Sequence, residues 1–227
     1  MNNRQEQQIL DSWNENARPW ARLIQRQAID SRRVTDPAIV EAILAHQPAR
    51  VLDVGCGEGW LCRTLAERGL SPIGLDATDA LIRLAREQHP GGQYHCLAYH
   101  ELTRQPPISD VDLVVCNFSL FGDDNSLGAL FASLHTLLRP AGTLLVQTLH
   151  PLTSCHGNYR DGWRESSWDG FDGDFRSAPP WYFRTLAGWT RLFRQQGFAL
   201  YLDEPAHPDT GQPLSVIFHA TVQGASE

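Results

Sequence analysis

The sequence predicts an α/β fold built on a largely parallel sheet, and three observations predict it. From Val51 onward, short β-branched apolar runs alternate with longer segments of helical period, as successive βαβ units require. The first of these runs leads into a glycine-rich turn that opens a helix. Two further apolar runs close the chain.

Strands are expected at Val51 to Val54, Pro72 to Asp76, Gln93 to Leu97, Val111 to Cys116 and Gly142 to Thr148. Helices are expected between them near Gly59 to Arg68, Asp79 to Gln88 and Ser126 to Leu138. The last carries the stripe Leu127, Leu130, Phe131, Leu134, Leu137 and Leu138 and ends at the stop signal Arg139-Pro140-Ala141-Gly142. Upstream, Gln5 to Ile29 reads as a helix whose Trp13 and Trp20 must cover something apolar. Asp36-Pro37 reads as a cap followed by the first residue of another helix. A helix from about Thr185 to Gln196 and strands at Ala199 to Leu202 and Leu214 to Val222 follow the aromatic segment 151–185, which shows no sustained period.

The 227 residues, 42% of them hydrophobic, suffice for one domain with a sizeable core. A net charge of −7 without a basic run excludes the electrostatic term that dominates nucleic-acid binding, so neither nucleic acid nor an anionic membrane is an expected partner. All 19 basic residues are arginine. The absence of lysine removes the P-loop, Schiff-base chemistry and the Tyr/Lys pair of short-chain dehydrogenases. No apolar leader and no apolar run of about 18 residues is present, so a cytoplasmic location is expected. The five cysteines read as reduced thiols, and His150, Cys155 and His156 match no zinc spacing, so no metal is expected. The sequence leaves the oligomeric state open.

Val51-Leu52-Asp53-Val54-Gly55-Cys56-Gly57-Glu58-Gly59 carries the functional argument. Gly55 and Gly57 let a ligand approach the backbone, and a helix N-terminus follows, which implies a nucleotide-like ligand. Asp76 ends the next strand, where a carboxylate can accept hydrogen bonds from both hydroxyls of a ribose. A dinucleotide site is the competing reading. Its third glycine would fall at position 60, and Trp60 stands there, which disfavours an NAD-linked oxidoreductase.

Asp53 followed by Gly55, Gly57 and Gly59 resembles the motif of class I S-adenosylmethionine-dependent methyltransferases. The resemblance covers about residues 45 to 150 well. It implies a Rossmann-like, seven-stranded, mostly parallel sheet with an antiparallel last strand and helices on both faces, with an N-terminal helix and a lid after the fifth strand added here. The implied division is a helical cap (1–47), a cofactor-binding core (48–150), a substrate lid (151–185) and a closing helix with two strands (186–227). The implied cofactor is S-adenosyl-L-methionine, with S-adenosyl-L-homocysteine as product, and the implied activity is methyl transfer to a small molecule. A non-catalytic protein binding the same cofactor is the other alternative. Carried over residue by residue, Gly55, Cys56, Gly57 and Gly59 would face the methionine part and ribose, with Asp53 beside them. Asp76 would take the ribose hydroxyls, Ala77 and the Ala98-Tyr99 pair would flank the adenine, and Asn117-Phe118 would meet the amino group. Ala98 stands where many relatives carry an acidic residue for the adenine amine. Asn117-Phe118-Ser119-Leu120 lacks the Pro-Pro of enzymes that methylate amino groups of bases or glutamine.

For the acceptor, Trp13, Trp163, Trp181 and Tyr182 are expected to line a pocket. Trp20 and an arginine of the Ser31-Arg32-Arg33 run, with Arg33 as the candidate, are expected to close the cofactor pocket and pair with its carboxylate. His150 is the expected general base, because an imidazole accepts a proton at neutral pH. Tyr159 would orient the acceptor and Arg184 would hold an anionic group on it.

Overall fold

The computed structural model describes residues 4–102 and 109–222. Two helices, α1 (Arg4–Gln25) and α2 (Arg32–Ala45), precede β1 (Val51–Val54). There follow α3 (Trp60–Ala66), β2 (Ile73–Asp76), α4 (Asp79–Gln88), β3 (Gln93–Cys96), a 3₁₀ turn at Tyr99–Glu101, β4 (Val111–Asn117), α5 (Asp124–Leu137) and β5 (Leu138–Leu149). The chain ends with α6 (Pro151–Ser154), β6 (Gly162–Arg164), β7 (Trp181–Phe183), α7 (Leu186–Gln195), β8 (Phe198–Asp203) and β9 (Ser215–Val222). The main sheet has seven strands in the order β3-β2-β1-β4-β5-β9-β8. Strands β3 to β5 pair in parallel, and β9 runs antiparallel to both of its neighbours. The expected seven-stranded sheet with an antiparallel last strand is therefore the one observed.

Alternation along the strands sends side chains to two covered faces. Leu52, Val54, Val114, Cys116, Leu144, Val146 and Phe218 pack under Leu130, Phe131 and Leu134 of α5 and Trp189 and Phe193 of α7. Val51, Leu113, Val115, Leu145 and Ile217 face the other way, onto Ile39 and Ile43 of α2 and Leu61 and Leu65 of α3. The order reverses between β1 and β4, so a crevice opens at their C-terminal ends.

Several boundaries differ from the sequence reading, among them the start of β5 at Leu138, which takes the Arg139-Pro140-Ala141-Gly142 stretch expected as a stop and turn into the strand. Helix α2 begins at Arg32, and Asp36 is an internal residue whose carboxylate accepts a bond from Arg32 Nε at 3.0 Å. That i,i+4 ion pair uses the side chain the reading assigned to a cap, and Pro37 lies inside the helix. Helix α5 starts two residues before Ser126, because the Asp123 carboxylate accepts from the amides of Asn125 and Ser126, each at 3.1 Å. Segment 151–185 holds a short helix and a two-stranded hairpin, β6 with β7, where irregular chain was expected.

Helix α1 is tied to that segment. Asn16, fully buried, accepts from the Arg176 amide at 2.8 Å and donates to the Arg176 carbonyl at 3.0 Å, pairing with the backbone as a neighbouring strand would. Ser12 Oγ donates to the Ser177 carbonyl, and Trp168 Nε1 donates to the Arg176 carbonyl at 2.6 Å. Asn16→Ala removes both bonds to the Arg176 backbone, each worth about 1 kcal/mol, and is expected to cost about 2 kcal/mol. Hydrogen exchange should show the loss at 168–177 first, and uniform loss over the whole sheet would contradict a local latch.

Candidate active site

Strand β1 delivers the chain into the turn at Gly55, whose φ of +80° an L side chain adopts only with strain. The amides of Gly55 and Cys56 both donate to the Leu75 carbonyl, at 2.7 and 2.9 Å, so the turn is fastened to β2. Gly57 N donates to Asp76 Oδ2 at 2.9 Å and Gly59 N to the Cys56 carbonyl at 3.0 Å. These four amides are thus used within the turn. What the turn offers is an approachable surface: nothing lies within 4 Å of where a side chain on Gly57 would begin.

Gly59 accommodates a side chain from β3. Its missing side chain leaves room for the Tyr94 ring, whose hydroxyl would lie 2.8 Å from an added Cβ. Gly74 and Gly92 form the rest of that slot, with Tyr94 ring atoms 2.8 and 2.5 Å from their own missing Cβ positions. Cys56 is buried with its thiol pushed well above its ordinary range by desolvation, a filler of the space beside Gly74.

Asp76 closes β2. Its second oxygen accepts from Thr78 N at 2.8 Å, which fixes the carboxylate at the mouth of the crevice. Burial raises its pKa, and the bonds from Thr78 and Gly57 oppose that rise. Across the crevice, Ser119 fits against the bare face of Gly55 and donates to the Val54 carbonyl at 2.8 Å. Tyr99 donates to the Ser119 carbonyl at 2.9 Å, so the Ala98-Tyr99 corner and the end of β4 are joined over the turn. Phe118, half-buried, is held at φ +50°, an unusual state for a bulky residue and one that clusters at functional sites. Ala77 follows Asp76 and stays half-buried; its carbonyl lies 3.8 Å from Cys96 Sγ.

Four buried polar atoms around the turn have no partner: Asn117 Oδ1, Asp53 Oδ1, Glu58 Oε2 and Arg32 Nη2. Arg32 lies 4.7 Å over the Trp60 ring and acts electrostatically on Glu58. Arg33 points away; it is exposed and pairs with Asp30 at 3.6 Å. The candidate arginine is corrected from Arg33 to Arg32, since helical geometry turns only one of two successive residues toward the turn. Acceptors for an ammonium and a donor for a carboxylate, beside an open glycine and a carboxylate at the strand end, fit the two ends of an amino-acid-bearing nucleoside.

A family model described as a methyltransferase domain matches residues 13–202. The chain belongs to that methyltransferase family. Over 115 residues it is 34% identical to a ubiquinone biosynthesis O-methyltransferase of Xanthomonas campestris pv. campestris, covering 49% of this chain and 47% of that one. Over 109 residues it is 31% identical to a malonyl-[acyl-carrier protein] O-methyltransferase of Serratia marcescens, covering 46% and 40%. It therefore spans less than half the length of these curated relatives. Among solved structures, magnesium protoporphyrin IX methyltransferase from Synechocystis with bound SAM superposes with a TM-score of 0.67 at 14% identity, covering 96% of this chain and 97% of that one. The 1,6-didemethyltoxoflavin-N1-methyltransferase of Burkholderia thailandensis does so with a TM-score of 0.64 at 17% identity, covering 96% and 89%. At such identities the likeness establishes the shared fold.

The residues expected on the acceptor side depart further from expectation. Trp13 packs edge-on against Trp20 at 5.2 Å and Trp168 at 5.7 Å, and tilts against Phe121 at 5.7 Å. Trp20 thus joins the aromatic cluster of Trp13 and Trp168. Trp163 packs on Tyr182 at 5.5 Å and Trp181 on Phe183 at 5.8 Å, all within the β6–β7 hairpin. Arg184, almost wholly buried, donates to Asp124 and to the Gly122 carbonyl, each at 2.8 Å, beneath Tyr182 and Trp189. Its charge is already balanced, so the role of holding an anionic acceptor is withdrawn. Tyr159 is likewise engaged: its hydroxyl accepts from the Leu186 amide at 3.0 Å at the start of α7. His150, fully buried, holds Glu204 through Nε2 at 2.7 Å, and its Nδ1 has no partner. Sequence reading missed Asp161, which accepts from Thr185 N and Oγ1 and from Arg191, pinning the lid hairpin to α7. Among the described residues no group of three or more His, Cys, Asp or Glu is arranged for a metal, and no helix is long and apolar enough to cross a membrane.

Asp53 is 1% exposed, and burial raises its carboxyl to about 7. Between about pH 4 and 7 the folded protein then holds a proton that the unfolded chain has lost, so stability falls as pH rises through that window. Asp53→Asn is expected to flatten the slope. Melting temperatures of both proteins at intervals from pH 5 to 8 check this, and parallel curves would contradict it.

Proposed function

We propose that this chain transfers a methyl group from S-adenosyl-L-methionine to a small-molecule acceptor, in the crevice above β1, β2 and β4. One observation carries the proposal: Asp76, held by Gly57 N and Thr78 N, stands at the end of β2 facing a glycine turn with an open surface. Membership of the methyltransferase family supports it. The same division of labour is proposed along the chain, with 1–47 as cap, 48–150 as cofactor-binding core, 151–185 as acceptor lid and 186–227 as the closing helix and strands.

When bound, the cofactor supplies a methyl carbon on a sulfonium whose departure leaves a neutral thioether. Asp76 accepts the ribose hydroxyls through lone pairs that its backbone bonds leave open. Arg32 takes the carboxylate, and Asn117 Oδ1 the ammonium. Ala77 on one side and Ala98-Tyr99 on the other flank the base. Phe118, Trp163, Trp181 and Tyr182 shape the acceptor space, and the lid held by Asn16 excludes water. Proximity and alignment of this kind supply roughly 7–11 kcal/mol. Where the acceptor must lose a proton, His150 receives it at Nδ1 while Glu204 holds the opposite nitrogen. The names of the curated relatives, both O-methyltransferases, make oxygen acceptors the first class to screen.

Titration calorimetry with S-adenosylhomocysteine and S-adenosylmethionine tests the cofactor half, and heat from both is expected. Silence from both ligands on folded protein would end the proposal. Transfer of labelled methyl to a panel of hydroxyl and carboxyl compounds tests the acceptor half.

A further inference from the structure

Asp53 lies one residue from the end of β1 on the face covered by α2 and α3, between Gly74 of β2 and Val115 of β4 in register. Among the described residues its carboxyl has one bond, a weak one from the Cys62 thiol of α3 to Oδ2 at 3.5 Å, and Oδ1 has none. The other charged groups near it repel a negative charge: Glu58 from the turn and Asp76 from β2. Cys56, Tyr94, Tyr99 and Cys116 surround them and stay neutral, their pKa values raised by burial. Arg63 is paired with Glu58 at 3.0 Å, and Arg32 gives its Nε to Asp36 at 3.0 Å and keeps only Nη2 unpartnered. A carboxyl so buried and so poorly solvated keeps its proton.

The two ligands of the proposed reaction differ in charge. The methyl donor carries a sulfonium, an ammonium and a carboxylate, and its by-product has lost the sulfonium charge. We propose that Asp53 is neutral in the free protein and yields its proton to solvent when the donor binds, so that the site separates the cationic donor from its uncharged by-product by charge. The proposal rests on the cofactor reading above. An ionised Asp53 gains from a cation brought into a dry site and gains less from a ligand without net charge. Donor binding then strengthens as pH rises, and methyl transfer itself removes the charge that kept Asp53 ionised. The proton returns from solvent as the by-product leaves.

Calorimetry at about pH 6, in two buffers of different ionisation enthalpy, counts the protons released by each ligand; both amino groups remain charged there. The expected result is close to one proton with the donor and less than half as many with the by-product. Donor affinity should rise by up to about tenfold per pH unit below 7 and level off above it. Asp53→Asn should bind both ligands without releasing protons. Should that variant fail to fold, infrared difference spectra of the unaltered protein must show a carboxylic acid carbonyl band lost on adding donor. Equal proton counts for the two ligands, no release with the donor, or undiminished release from Asp53→Asn overturns the proposal while the cofactor reading stands. Absence of heat from either ligand overturns both.

Discussion

Gly55→Ala is expected to cost roughly 2–5 kcal/mol of stability and to lower the melting temperature by about 5–20 °C. Two independent penalties combine there. A left-handed conformation at φ +80° costs an L side chain about 1–2 kcal/mol. The new methyl would also overlap Cβ of Ser119 and sit 2.7 Å from its Oγ, an overpacking worth about 1–3 kcal/mol more. Ser119 cannot simply withdraw, because its Oγ holds the Val54 carbonyl and its own carbonyl holds Tyr99. A second substitution separates the terms. Ser119→Gly in the Gly55→Ala background removes the overlap and leaves the backbone strain, so it should restore part of the loss. A double variant no more stable than Gly55→Ala alone would show that Ser119 is not what the glycine accommodates.

The sheet was legible because its central strands β1, β2 and β4 are buried on both faces and its helices on one, which writes a solid apolar run against a period of 3.6. Leu127, Leu130, Phe131 and Leu134 announce α5 in that way, and all four are buried against the sheet. The Asp53-to-Gly59 motif and Asp76 were legible for a similar reason: they are local in sequence or sit at a strand end that the pattern marks. The lid's anchorage was not. Asn16 meets Arg176 across 160 residues, and nothing in either neighbourhood advertises a side-chain amide paired with a distant backbone. Arg32 and Arg33 were indistinguishable until the helix start was known, since moving it from Asp36 to Arg32 decides which guanidinium faces Trp60. Arg184 and Tyr159 were attractive by chemistry alone. Only the positions of Asp124, Gly122 and Leu186 reveal that Arg184 Nε and Nη2 and the Tyr159 hydroxyl already have partners within the fold. Gly59 belongs with these, for the ring filling its empty side comes from β3.

Asp76→Ala is expected to weaken S-adenosylhomocysteine binding by roughly 10²- to 10³-fold, about 3–4 kcal/mol, with a smaller effect on folding. Bonds to a charged acceptor contribute about 1.5–3 kcal/mol each, and two ribose hydroxyls converge on this carboxylate in the proposed complex. The variant also frees the amides of Gly57 and Thr78, so a fall in affinity alone would not isolate the sugar contact. The 2′-deoxy form of the ligand isolates it. The unaltered protein should prefer the parent ligand over the deoxy form by about tenfold or more, and in Asp76→Ala that preference should collapse toward one. Asp76→Asn sharpens the test. Its amide must turn an N–H toward either Gly57 N or Thr78 N, both donors, so it should recover little of the affinity in spite of its matching shape. Retention of the full preference in Asp76→Ala would mean that the sugar is held elsewhere, and the crevice between β1 and β4 would lose the side chain that makes it a nucleoside site.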